Sequence, residues 1–209
     1  AYALLFTLFL MGANVYSLLK VFVIPSAVST VSANTTSSTT ASSTASTSTG
    51  KVTKTDTTYK DDNMDIKITT GKTSDTTYYV ADIKLSSADY LKTALAQNTY
   101  GTNITETTSS IAQQNNAIFA INGDYYGANP SGYVIKNGQV YRDTERNSDY
   151  EDLAVYSDGS FKTFKERDTT AQKLVDSGVV NTFAFGPTLV ENGKIAVSEN
   201  EEVGQAMAD

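Results

Sequence analysis

Asn122-Gly123-Asp124-Tyr125-Tyr126 puts a side-chain amide, a carboxylate and two aromatic rings at the end of the apolar run Ala117-Ile-Phe-Ala-Ile121. A carboxylate can serve as general base or nucleophile, and tyrosine rings can pack against a sugar face. A second stretch, Asn181-Thr-Phe-Ala-Phe-Gly186-Pro187, runs an apolar segment into Gly-Pro. That bend leaves backbone without a bulky Cβ, which a ligand can approach closely. Each stretch also has a plainer account. Asn-Gly-Asp suits a tight turn, and Gly-Pro suits a loop before a hairpin.

The residue inventory narrows the chemistry. The chain has no histidine and no cysteine. That excludes a Ser-His-Asp triad, a cysteine nucleophile, and a zinc or haem site held by His or Cys. Acid-base or covalent work falls to carboxylates, tyrosines, lysines and hydroxyls. With 16 basic against 23 acidic residues the net charge is -7. A nucleic-acid partner, which calls for a basic face, is not expected. Arg142 is the basic residue nearest the first motif, read either as a phosphate contact or as a solvated arginine at a strand end. The acidic run Asp143, Glu145, Asp149, Glu151 and Asp152 reads as a solvated loop. It could alternatively supply a second carboxylate or a calcium ligand, but no spacing in it matches a calcium loop. No cofactor is expected.

The elements that must hold these residues are mostly strands. Asp65-Ile-Lys-Ile-Thr69 and Thr77-Tyr-Tyr-Val-Ala-Asp-Ile-Lys-Leu85 alternate as half-buried strands do. Ala117 to Ile121, apolar throughout, reads as a strand buried on both faces that delivers Asn122 to Tyr126 to a sheet edge. Asn137-Gly138, Asp158-Gly159 and Asn192-Gly193 each sit between apolar-alternating arms, the strongest short hairpin signal. Short helices are expected over 88–96, 109–116 and 169–177, the last with Thr169 and Gln172 spaced as a capping box and Gly178 as its stop. The expected fold is α+β, with a mixed, hairpin-rich β-sheet core and short flanking helices.

At 209 residues the chain has room for one domain and extensions. Residues 1–24 are apolar and long enough to span a bilayer. They read as a transmembrane signal anchor or, alternatively, as a signal peptide cut after Ala33, where Val31-Ser32-Ala33 offers small residues. Residues 25–58 read as a disordered, Ser/Thr-rich linker with almost nothing to bury. Residues 59–209 form the globular part. This layout implies a single-pass protein of the cell membrane, tethered by its N-terminal helix, with the globular domain extracellular.

Taken in order, "AINGDYYG", "PSGYVIKNGQVYR", "VYSDGSF" and "TFAFGPTLVENGK" resemble the phosphodiester glycosidase domain family, which includes bacterial surface proteins associated with exopolysaccharide. The resemblance runs from about Ile66 to the C-terminus and rests mainly on residues 117–142 and 181–194. It implies hydrolysis of a sugar 1-phosphodiester, with a carbohydrate or sugar phosphate as substrate. A phosphate leaves as a stable anion and asks little of a general acid, which fits a chain without histidine. Carried over position by position, the motif makes Asp124 the catalytic carboxylate and Asn122 and Gly123 its neighbours in the site. It also implies that Tyr125 or Tyr126 packs on a sugar face, with Gly186 and Pro187 as the opposite wall. Family members continue with an Arg-Thr-Ala strand and an Asp-Gly-Gly-Gly-Ser-like segment, and this sequence has neither. Residues 59–209 therefore resemble the N-terminal part of such a domain, and the chain alone is expected to be inactive. The rival reading is a membrane-tethered, non-catalytic module that binds carbohydrate or cell wall.

Overall fold

The computed structural model describes residues 26–27, 52–146, 149, 151–184 and 187–198, with backbone only at 26–27. The expected membrane segment, most of the expected linker and Gly186 lie outside these residues. Among the described residues, no helix is long and apolar enough to cross a membrane. The chain divides into two compact units, Asn34–Lys92 with Ser157–Gly159, and Ala1–Ala33 with Thr93–Tyr156 and Ser160–Asp209.

The first unit carries a four-stranded antiparallel sheet, ordered β2 (Thr53–Lys54), β3 (Thr58–Lys60), β4 (Met64–Lys72), β5 (Thr77–Leu85). The strands β4 and β5 pair over their whole length, from Met64 opposite Leu85 to Lys72 opposite Thr77. Asp61 fixes the β3–β4 turn by accepting the Asn63 and Met64 N–H groups through Oδ1, both at 2.7 Å.

Among its described residues the second unit has two short helices, α1 (Thr108–Gln114) and α2 (Ala171–Asp176). Its strands are β1 (Ser26–Ala27) paired with β6 (Gly101–Thr102), the hairpin β7 (Val134–Lys136) and β8 (Gln139–Arg142), and the pair β12 (Val190–Glu191) and β13 (Lys194–Ile195). A three-stranded sheet has β9 (Asp152–Tyr156) between β10 (Phe161–Phe164) and β11 (Val179–Phe183). Its core packs Tyr133, Ile135, Ala154, Ala171, Leu174 and Val179 together, flanked by Val140, Tyr156, Phe164 and Val175. Two polar residues of β11 attach the β7–β8 hairpin. Thr182 Oγ1 accepts the Ile135 N–H at 3.0 Å, and Asn181 Oδ1 accepts the Asn137 N–H at 2.9 Å.

The described residues are mostly sheet with short helices, as an α+β class requires. A mixed sheet was expected, yet every strand pair among the described residues is antiparallel. The strand expected at 117–121 does not form. Asn116 takes φ +51°, its N–H goes to Gln113 O, and the Ala117 N–H goes to Ala112 O. Those two bonds close the C-terminus of α1. Ile121 ends 77% exposed.

Two helix expectations shift for similar reasons. Over 88–96 only the 3-10 turns Ala88–Tyr90 and Ala96–Asn98 form, because Thr93 gives its N–H to Asn137 Oδ1 at 3.2 Å rather than to a helix. The cap of α2 is Thr170, not Thr169; its Oγ1 accepts the Lys173 N–H at 3.2 Å.

Candidate functional site

Asp124 lies in the irregular segment that follows α1, and its side chain is only 3% exposed. Both carboxylate oxygens are engaged. Lys136 Nζ donates to Oδ1 at 3.2 Å, and the Ala184 N–H donates to Oδ2 at 3.0 Å. Lys136, the last residue of β7, is 6% exposed at its side chain. It also donates to Thr182 O at 2.7 Å and sits 4.0 Å from the centre of the Phe183 ring. Burial pulls the lysine's pKa below its usual value, while the charge and hydrogen bond of Asp124 push it back up.

This pair joins the two stretches singled out in the sequence. Gly123 packs beside Phe183, where a Cβ would stand 3.6 Å from a ring carbon. Thus 123–124, the end of β7 and 182–184 meet around one buried ion pair. Asn122 and Gly123, which precede Asp124, are exposed. Tyr125 is 68% exposed, an aromatic face open to solvent.

The other expected site residues have different surroundings. Tyr126 is half-buried, its ring stacked on Tyr100 at 5.4 Å and 16°, and Tyr100 also meets Tyr141 at 5.1 Å. Burial is the main cause of the raised pKa of Tyr126, with Tyr100 adding to it. Arg142 binds backbone: Nε donates to Gly132 O at 2.6 Å, and NH1 donates to Tyr126 O at 3.0 Å and to Asn129 O. Its guanidinium organises the loop 126–132. Pro187 is half-buried, and its neighbour Thr188 donates to Glu151 Oε2 at 2.7 Å.

The acidic run departs furthest from expectation at Asp152. Asp143, Glu145 and Asp149 are exposed, whereas Asp152 opens β9 facing inward and is 1% exposed. Arg146 pairs with its Oδ1, while Oδ2 is buried with no hydrogen-bond partner among the described residues. Its pKa is pushed up to about 8, chiefly by burial and next by Glu166, against the pull of Arg146. Glu166, also buried, accepts the Tyr133 and Arg146 N–H groups. Among the described residues no group of three or more acidic side chains could hold a metal ion.

Residues 115–208 match the family model for phosphodiester glycosidase, a span that holds both motifs on which the resemblance rests. Residues 66–114, included in the resemblance, lie outside the match. Over 99 residues the chain is 32% identical to the SPbeta prophage-derived uncharacterized protein YomE of Bacillus subtilis (strain 168). That alignment takes in 46% of this chain and 15% of YomE. No solved structure matches the chain.

Proposed function

We propose that this chain contributes to an extracytoplasmic, membrane-tethered hydrolase of the phosphodiester glycosidase type, which frees a sugar from a sugar 1-phosphodiester on a surface or exported glycoconjugate. The observation that carries the reading is the joining of 123–124, Lys136 and 182–184 around one ion pair, inside the span matched by the family. In the reaction the bond from the anomeric carbon to the phosphate oxygen breaks, and the phosphate leaves with the electron pair. Water bonds to the anomeric carbon and gives its proton to a carboxylate. Asp124 is the carboxylate proposed. Lys136 and the Ala184 N–H fix its orientation, and each oxygen keeps a further lone pair for a proton. Asn122 and Tyr125, exposed beside it, are the proposed sugar contacts.

The coverage of Asp124 favours a second reading, a binding module in which Tyr125 is the sugar platform and the ion pair only braces the loop. One assay separates the two. The full gene product carrying these residues is given a panel of methyl sugar 1-phosphodiesters, and released sugar is measured. Release that falls about 100-fold or more in Asp124→Asn supports the hydrolase. Unchanged release removes Asp124 from the mechanism, and sugar binding without release favours the module.

A further inference from the structure

The long hairpin β4–β5 belongs to the unit Asn34–Lys92 with Ser157–Gly159. In the strand order β2-β3-β4-β5 the outer edge of β5 has no strand partner among the described residues. A nine-residue edge without a strand partner is a template for another strand. One face of the hairpin is apolar, with Met64, Ile66 and Ile68 of β4 beside Leu85, Ile83, Ala81 and Tyr79 of β5. Of these only Ile66 is buried, while Tyr79 is 71% exposed.

The opposite face carries charges whose sign alternates across the strands. Lys60 stands opposite Asp65, which stands opposite Lys84; in the neighbouring row Lys67 stands opposite Asp82. Opposite charges facing each other across strands stabilise pairing, and like charges weaken it. A strand added beside β5 should therefore offer an acid to Lys84 and a base to Asp82, two residues apart. The strand β5 itself meets that requirement. Turned antiparallel about Ile83, it sets its own Asp82 against Lys84 and its own Lys84 against Asp82.

We propose that β5 pairs antiparallel with β5 of a second copy of this chain, Ile83 facing Ile83 on the two-fold axis, so that two four-stranded sheets become one of eight. Such a contact is isologous, each copy giving the other the same patch. Charge selects the register. An axis through Asp82 would set two carboxylates face to face. An axis through Ala81 pairs more of the strand but puts Asp82 on Val80 and Lys84 on Tyr78, which leaves both charges unmatched.

The absence of cysteine makes the test direct. Residues facing each other in an antiparallel pair lie about 4.5–5.5 Å apart at Cα, within reach of a disulfide. In the full chain, Ile83→Cys should form a covalent dimer on mild oxidation. Ala81→Cys, about 13 Å from its mate in the proposed register, should cross-link at least tenfold more slowly. Adding K84E to Ile83→Cys makes the edge wholly acidic and should slow cross-linking at least tenfold. Mixing that variant with Ile83→Cys carrying D82K should restore it, which also shows that both variants fold. Equal rates at 81 and 83, a faster rate at 81, or indifference to K84E would each overturn the proposal, the last leaving Asp82 and Lys84 as guards against strand addition.

Discussion

Asp124 and Lys136 are held almost entirely away from water, so each depends on the other for charge compensation. Removing one partner of such a pair strands the other, whereas removing both can be nearly neutral. Lys136→Met should therefore destabilise the chain by about 3 kcal/mol in chemical denaturation. Adding Asp124→Asn to it should cost clearly less than the two single changes summed. Lys136 escaped the sequence reading because a lysine before an Asn-Gly turn is ordinarily solvated. A signal existed: Lys136 shares a strand face with Val134, which is fully buried. Asp152 was missed in the same way. Composition groups it with an acidic run, while the period of Asp152-Leu-Ala-Val-Tyr156 puts it on the same face as Ala154, in the core.

Local signals located several elements well. Asn137-Gly138 and Asn192-Gly193 both adopt positive φ at their two positions, as the hairpin signature requires. At Asp158-Gly159 only the glycine does, and the loop is longer, with Ser160 opposite Tyr156. What failed was the strand at 117–121. Apolar residues describe a preference for burial, but a strand also needs neighbours for its backbone, and those depend on parts of the chain far away in sequence. Side chains that bind backbone were equally invisible. Thr182 Oγ1 accepts the Ile135 N–H and donates to Tyr133 O, two buried bonds from β11 to β7 and to the residue just before it. Thr182→Val keeps the shape and removes both bonds. It should lower stability by about 2 kcal/mol in thermal unfolding, with loosened amide exchange at Tyr133 and Ile135 as the local signature.

For the molecule as a whole, Asp152 gives an unusual response to pH. Its native pKa, about 8, lies above the ordinary 3.8, so the folded state holds a proton that the unfolded chain gives up. The stability linked to that proton is complete below the unfolded value and is lost as pH rises through the native one. Lowering the pH from 9 to 5 should therefore raise the melting temperature, and Asp152→Asn should flatten that slope. Asp61, Asp65 and Glu106, held low by the Asn63 N–H, by Lys60 and by the Ser110 hydroxyl, act in the opposite sense. They do so only as the pH falls through the acid range, and solvent weakens their effect. A second molecule-wide consequence comes from the amide of Asn181. Its one oxygen accepts the Asn137 N–H and the Thr93 hydroxyl, from residues 44 and 88 positions away in the chain. Both bonds wait on the closing of long loops, whose entropy must be met before either forms, whereas the tight hairpins close by themselves. The amide thus acts as a late clasp in folding, engaged once three distant segments have found one another.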